Sequence, residues 1–377
     1  MLHTQKYLRG GKSPADLKAE LGIESFEHPT LPLVGFSYHM TQSPKTHPIV
    51  RECRGMVLEK DTWTLVAKGF DRFYNAGEDG DNWKTFDWSN FEVTEKCDGT
   101  MILMYCYRGQ WLINTRNTFG NATPRGCDKT WTELFLSTIP SRPKNFSPSC
   151  TYVFELCTPH NRLVTNYNRS HAFLLAAFVV EDWAGGFKVE EYPSSWIQFQ
   201  RDQWKVELPK MYVLRSRDEL DEFIYEKEAT DKRFEGVVIR DSKGLRYKVK
   251  SATYEAYHRI LNTKDNRPTD RDLFHLVYQS RLHEGHGLDL TEQERDKVRW
   301  MERQLDEEFD RLATVWDSVR TIEDQSQFAR RVSELTKIPS ILFQMKKIGP
   351  KADNEDLTRL LRRSMGYAGK MLFKISG

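Results

Sequence analysis

The sequence has almost no net charge. Its 56 Lys and Arg offset 54 Asp and Glu, leaving +2. Bulk charge therefore does not hold this chain to nucleic acid, and any such surface has to come from local clustering. No run of about 18 apolar residues occurs, which excludes a membrane-spanning helix. Six cysteines are present (Cys53, Cys97, Cys106, Cys127, Cys150 and Cys157), but none forms a C-x-x-C pair, so their spacing offers no zinc or redox motif. The opening stretch MLHTQKYLRGGK lacks the apolar core of a secretory signal. Reduced thiols in a cytoplasmic protein are the expectation. Low-complexity tracts and internal repeats are also missing.

Real cores are within reach, with 39% apolar and 12% aromatic residues. A length of 377 residues predicts two domains. The textures agree. Up to residue 251, short runs such as RGMVLEK, WTLVAKGF, TMILMYCY, TYVFEL, AFLLAAFVVE and GVVIRD read as strands. They cluster as hairpins, which predicts an α+β domain with a mainly antiparallel sheet. Helices are predicted at Ser13 to Leu21, Cys127 to Leu136 and Ser216 to Lys227, the first with a Ser-Pro start. From residue 252 to 377 apolar residues fall at helical spacing. Trp300, Leu305, Phe309, Leu312 and Trp316 predict a core-facing stripe on one long helix, within an all-helical second domain. His283 and His286 in HEGHG have no third ligand nearby and read as loop residues.

Charged residues recur at predicted strand ends. Lys96 sits in EKCDGT between the runs FEV and MILMYCY. Asp-Gly between strand-like runs predicts a hairpin turn, here one that presents Lys96. Glu155 follows in YVFELCTPHNR, Glu235 in FEGVVIR, and Lys248 with Lys250 in RYKVKS, while Arg54 precedes them in RECRGMVLE. A lysine nucleophile has to lose a proton from a group whose ordinary pKa is about 10.4. Desolvation and neighbouring cations would favour that loss. Attack at phosphorus also needs positive groups around the transition state and carboxylates for Mg²⁺. Lys248 and Lys250, two apart on a strand, share a sheet face, and an anion between them relieves their repulsion. Gly99 and Gly236 leave room for a backbone to approach a nucleotide. Singly, each piece has an ordinary explanation: K-x-D-G arises by chance, and K-V-K protects an edge strand. In this order, on successive strand ends, they are far more specific.

The series EKCDGT, FELCTPHNR, EGVVIR and RYKVKS resembles the nucleotidyltransferase motifs of ATP-dependent ligases and mRNA capping enzymes. It is most similar to the RNA ligase 1 family of T-even bacteriophages. Upstream SYHM and RECRG and the helical C-terminal half are similar too. The resemblance spans nearly the whole chain and is strongest over residues 36–252. It implies that Lys96 attacks the α-phosphate of ATP, holds AMP, and passes it to an RNA 5′-phosphate, which a 3′-hydroxyl then joins. It implies Mg²⁺, with Mn²⁺ as an alternative, and a metal role for Glu235. Tyr38, Arg54 and Glu155 would contact ATP, and Lys248 and Lys250 would neutralise phosphate. Arg72 and Arg116 stand where the family has lysine and keep the charge. The residue stacking on adenine would come from HAFLLAAF, aromatic or aliphatic. Cys97 occupies a variable position and has no implied role.

The resemblance also implies a monomer that acts on broken tRNA, in the host cytoplasm if phage-encoded, beside a kinase or phosphatase that heals the ends. RNA choice would fall to the helical domain. From Lys337 onward nine Lys or Arg face three acids, which is either a solvated helical face or a phosphate-binding patch containing Lys346, Lys347, Arg362 and Arg363. Rival readings are a DNA ligase or capping-type enzyme, a non-catalytic RNA-end binder, and an adenylyltransferase that modifies protein. The first two enzymes usually append a β-barrel module, where this chain predicts helices. The binder would have no need of Lys96, Glu235 and Lys248.

Overall fold

The computed structural model describes residues 1–78, 82–139, 146–161, 165, 167–183, 186–231, 234–251, 254–255, 268–278 and 291–374. Its strands are β1 (Ile23–Glu27), β2 (Leu33–Tyr38), β3 (Arg54–Glu59), β4 (Leu65–Ala67), β5 (Tyr74–Asn75), β6 (Phe91–Glu95), β7 (Thr100–Tyr107), β8 (Gln110–Asn114), β9 (Cys150–Cys157), β10 (His171–Trp183), β11 (Gly186–Glu191), β12 (Met211–Tyr212), β13 (Gly236–Asp241) and β14 (Arg246–Lys250). They form three sheets, ordered β1-β2-β3-β4, β11-β10-β9-β7-β8 and β12-β6-β13-β14-β5. Pairing between these strands is antiparallel except between β14 and β5.

Two compact units result. One comprises Met1–Leu220 with Glu235–Lys250, the other Asp221–Phe234 with Ser251–Gly377. In the first, the middle strands β7 and β9 are apolar along nearly their whole length because both faces are covered. One face packs Ile102, Phe154 and Leu174 on Trp131, Phe135 and Ile197. The other packs Leu103, Val153 and Ala176 on Val57 and Ala67 of the four-stranded sheet. Glu155 lies two residues beyond Val153 and so belongs to this second face.

The helix starting at Pro14 has the expected cap, with Ser13 Oγ accepting from Asp16 N. The helix predicted from Cys127 starts only at Trp131. Thr130 and Glu133 cap each other's backbone there, which fixes the first turn later than apolar spacing alone suggests. The third helix runs Arg217–Thr230. The Asp98-Gly99 hairpin is corrected by the structure. β6 pairs with β12 and β13, β7 pairs with β8 and β9, and residues 96–99 cross from one five-stranded sheet to the other.

Among the described residues of the second unit there are helices and no strand. Glu292–Val319 is the long helix, followed by Gln325–Leu335, Pro339–Ile348, Asn354–Arg363 and Met365–Phe373. Its buried stripe runs Val298, Met301, Leu312, Val315, Trp316 and Val319, with Leu305 and Phe309 packed alongside. Trp300 is 44% exposed. At 3.6 residues per turn it lies about 120° around the helix from Leu312, so it falls outside the stripe to which sequence spacing assigned it. His283 and His286 lie outside the described residues. No described helix is long and apolar enough to cross a membrane.

Candidate active site

A cavity of about 730 Å³ lies in the first unit. Strands β6, β13 and β14, the middle of one five-stranded sheet, supply one wall. Register sets Gly236 opposite Lys250, Val238 opposite Lys248, and Arg240 opposite Arg246. Lys250, Lys248 and Arg246 therefore share one face, spaced about 7 Å apart along the strand. Lys96 leaves β6 at the Lys250 end, its N–H donating to Gly236 O at 2.9 Å. The other five-stranded sheet brings Glu155 and Met101, which are paired across β7 and β9. Segment 207–212 closes a side, bridging Phe173 at Glu207 and pairing with β6 at Met211.

Lys96 Nζ is 2.6 Å from Glu235 Oε1. Burial opposes charge on both groups. At Lys96 the carboxylates of Glu235, Glu155 and Asp98 prevail and hold the amine above the ordinary lysine value. At Glu235 burial prevails and holds the carboxyl above its usual range, against the pull of Lys96. Burial pushes Glu155 up to about 7, with Lys96 and Arg54 opposing. The sequence led us to expect a nucleophile whose pKa is depressed by desolvation and cations. The free site has instead a protonated Lys96 tied to an acid. Lys248 is the depressed lysine, brought down to about 7 by burial, then by Arg54, Lys96 and Lys250.

Of the residues singled out in the sequence, the cavity lining brings together Arg54, Lys96, Gly99, Arg116, Glu155, Glu235, Lys248 and Lys250. Tyr38, Arg72 and Gly236 are not in that lining. Arg72 lies over the Tyr38 ring at 4.4 Å and Arg116 over it at 5.2 Å, so the tyrosine is a platform for two guanidinium groups. Arg54 rests on Phe73 at 4.6 Å. Buried Nη1 atoms of Arg54 and Arg72 and Oε2 of Glu235 have no hydrogen-bond partner among the described residues. Each is a desolvated charge-bearing atom awaiting a counterpart. The glycines serve the strands. A Cβ on Gly99 would lie 2.5 Å from Leu156 O, and one on Gly236, with φ +132°, 2.2 Å from Val249 O. Both close approaches are to a neighbouring strand. Leu174 and Leu175 of HAFLLAAF line the cavity, helped by a β-bulge between Leu174 and Ala176.

Sequence reading missed the far wall. Arg246 pairs with Glu191 and lies 4.8 Å above Phe70. Arg240 reaches Glu92 at 3.6 Å and Glu191 at 3.9 Å, and Ser194 Oγ donates to Glu92. A signal existed for Arg246 in RYKVK, where it continues the Lys248 and Lys250 face. Glu191 and Glu92 carried none, because they belong to strands distant in sequence. In the helical unit Lys346 donates to Ile322 O at 3.0 Å and stands 4.2 Å over Phe328. Lys347 is exposed, and the side chains of Arg362 and Arg363 lie outside the described residues.

Among the described residues no group of three metal-ligating side chains occurs. Mg²⁺ does not need one, since it commonly binds through one or two carboxylates plus phosphate and water oxygens. Glu235 Oε2, buried and unpartnered, fits such a role.

Antiparallel sheets thus meet at a cavity in which Lys96 is paired with Glu235 and shares the lining with Glu155, Arg54, Lys248 and Lys250. The profile of the RNA ligase family matches residues 52–254. That is more than half of the chain, and the chain belongs to this family. An RNA ligase of Rhodothermus phage RM378 is 24% identical, the match covering 78% of this chain and 80% of that protein. A protein of Autographa californica nuclear polyhedrosis virus, whose name joins a polynucleotide kinase to an RNA ligase, is 27% identical over 71% of this chain. The match spans only 39% of that viral protein's length. Among solved structures, an archaeal ATP-dependent RNA ligase aligns with 97% of this chain and 90% of its own, at 15% identity and a TM-score of 0.49.

Proposed function

We propose that the protein is an ATP-dependent ligase joining RNA 5′-phosphate to RNA 3′-hydroxyl. The observation that carries this is the pairing of Lys96 Nζ with Glu235 at 2.6 Å in a cavity shared with Glu155, Arg54, Lys248 and Lys250. Once deprotonated, Lys96 Nζ attacks the α-phosphorus of ATP. A P–N bond forms, the bond to the β-phosphate oxygen breaks, and pyrophosphate leaves. The RNA 5′-phosphate oxygen then displaces Lys96 and takes AMP. A 3′-hydroxyl finally attacks the activated 5′-phosphorus, sealing the strand and releasing AMP.

The residues divide the work by chemistry. Lys248 and Lys250 offset phosphate charge on one wall, with Arg54 and Arg116 on the other. Arg72 and Tyr38 support Arg116 and the triphosphate end. Glu155 accepts from the ribose hydroxyls. A divalent ion held at Glu235, when bound, supplies positive charge to the phosphates and competes with Lys96 for that carboxylate. Residues 1–251 would be the adenylyltransferase domain and 252–377 the domain that selects RNA, with Lys347 as an exposed cation for the backbone. Broken tRNA is the substrate we favour, with the protein acting as a monomer. The kinase named in the viral relative supports an end-healing partner that makes 5′-phosphates.

The test is incubation with Mg²⁺ and ATP labelled at the α-phosphate, followed by a denaturing gel beside Lys96→Ala. Acid-labile label on the wild type alone is the expected result. Label on neither protein, with ATP or GTP, would overturn this reading.

A further inference from the structure

The ATP chemistry leaves the outer rim of β10 without a task. Phe173 pairs with Glu155 across β9 and β10, so it stands about 5 Å to the side of that strand on the same face, and it is not in the cavity lining. Two residues back on this face, His171 stacks on Phe173, with ring centroids 5.6 Å apart and planes within 8°. Tyr167 lies 6.0 Å from His171. The Tyr167 hydroxyl accepts from Asp98 N at 3.3 Å, two residues from Lys96. A row of three half-buried rings thus runs beside the loop of the nucleophile.

This end of β10 is not covered by β11, which pairs with it only from Phe178 onward. The edge is held by Glu207, bridged to Phe173, whose carboxylate is 2.9 Å from His171 Nδ1. The same carboxylate is 4.0 Å from Arg169. That distance is the outer limit of an ion pair, and the Arg169 side chain is 76% exposed. The guanidinium is therefore available to a second anion.

Surfaces that hold single-stranded nucleic acid combine aromatic faces for the bases with cations for the backbone. The bases of single-stranded RNA also stack on histidine rings and guanidinium planes. We propose that Tyr167, Arg169, His171 and Phe173 form a docking surface for single-stranded RNA entering the joining site, with a nucleobase stacked on the ring row and Arg169 on a phosphate. This rests on the ligase reading above and adds where the strand lies. Two observations argue for RNA as the occupant. The row is continuous with the cavity at Glu155, and a cation lies beside its rings. Base pairs in a duplex already cover each other's faces, so an unpaired strand fits the row better.

The experiment measures binding of a fluorescent, 5′-phosphorylated, 3′-blocked oligoribonucleotide to the full chain by anisotropy, beside Lys96 labelling by ATP. Phe173→Leu keeps apolar volume and is expected to weaken RNA binding about tenfold. Arg169→Glu, an exposed change, should weaken it several-fold, more so at low salt. An oligonucleotide with abasic residues next to the phosphate should bind wild type and Phe173→Leu equally. Labelling at Lys96 should stay within twofold in both variants. RNA affinities within twofold of wild type in both variants, or tighter binding of duplex than of single strand, would overturn the proposal. So would labelling that falls in parallel with binding. Absence of Lys96 labelling in the wild type is a different outcome, because it removes the ligase reading itself.

Discussion

Two neighbouring lysines of the cavity are held in opposite states. Lys96 is surrounded by Glu235, Glu155 and Asp98, which hold it above the ordinary range against burial. Lys248 is brought down to about 7 by burial and by Arg54, Lys96 and Lys250. Burial acts on both in the same direction, so the sign of the neighbours decides. On the ligase reading proposed above, the free protein holds Lys96 protonated and unfit for attack, and holds Lys248, the proposed phosphate contact, among cations. An incoming triphosphate meets the need of the second. Removing the acid from beside Lys96 meets the need of the first.

The sharpest break in this comparison is covalent. Lys96→Arg keeps a cation beside Glu235 but removes the nucleophile, and ATP labelling should fall by roughly 10⁴-fold or more. Lys248→Ala should keep a measurable rate, because it removes charge stabilisation alone. Equal loss in the two variants would mean that the lysines share one task. Next in size is Glu235→Gln. It is nearly isosteric and leaves Lys96 without its closest acid, yet labelling should drop on the order of 10²–10³-fold, because the carboxylate that would hold a divalent ion against the phosphate charge is lost. An unchanged rate would remove Glu235 from the chemistry.

A smaller effect is pH-dependent. The folded-state value of Lys248, about 7, lies below the ordinary 10.5, so the folded protein binds fewer protons there than the unfolded chain. Its contribution to stability rises with pH from about 7 to 10.5 and is lowest below 7. Glu155 is raised from 4.5 to about 7. Its contribution is fully present below 4.5 and is lost as pH rises through 7. Their sum is least favourable near neutrality, where Lys248→Met should raise the melting temperature. ATP affinity, measured calorimetrically, should fall about tenfold between pH 6 and 8 as Lys248 loses its proton. Lys248→Arg should flatten that profile.

Much of this site could be read from strand patterning. Lys248 and Lys250 are two apart, which fixes them on one face, and the structure places them there. Lys96, Glu155 and Glu235 stand out as charges at the ends of apolar runs. What could not be read depends on pairing between distant strands. Asp98-Gly99 suggests a hairpin locally, but β6 and β7 find their partners in β13 and β9, about 145 and about 50 residues on. Gly99 is glycine for the Leu156 carbonyl it meets. The protonation of Lys96 depends on Glu235, 139 residues away in sequence, so no local rule could supply its sign.

The same contrast between neighbouring charges recurs, more weakly, in the helical unit. Lys346 and Lys347 are adjacent in sequence and look alike in a charge count. At helical spacing they point about 100° apart. Lys346 Nζ donates to Ile322 O and stands over Phe328, whereas Lys347 faces solvent. Lys346→Gln should therefore cost about 1–2 kcal/mol in thermal or denaturant unfolding and leave RNA sealing unchanged well below the melting point. Lys347→Glu should move stability by less than about 0.5 kcal/mol and weaken sealing of tRNA two- to fivefold with Lys96 labelling intact. If Lys346→Gln instead weakens sealing at unchanged stability, the inward lysine is the RNA contact and its carbonyl partners are incidental. Burial and partner, and not the local excess of basic residues, would then have misassigned the pair.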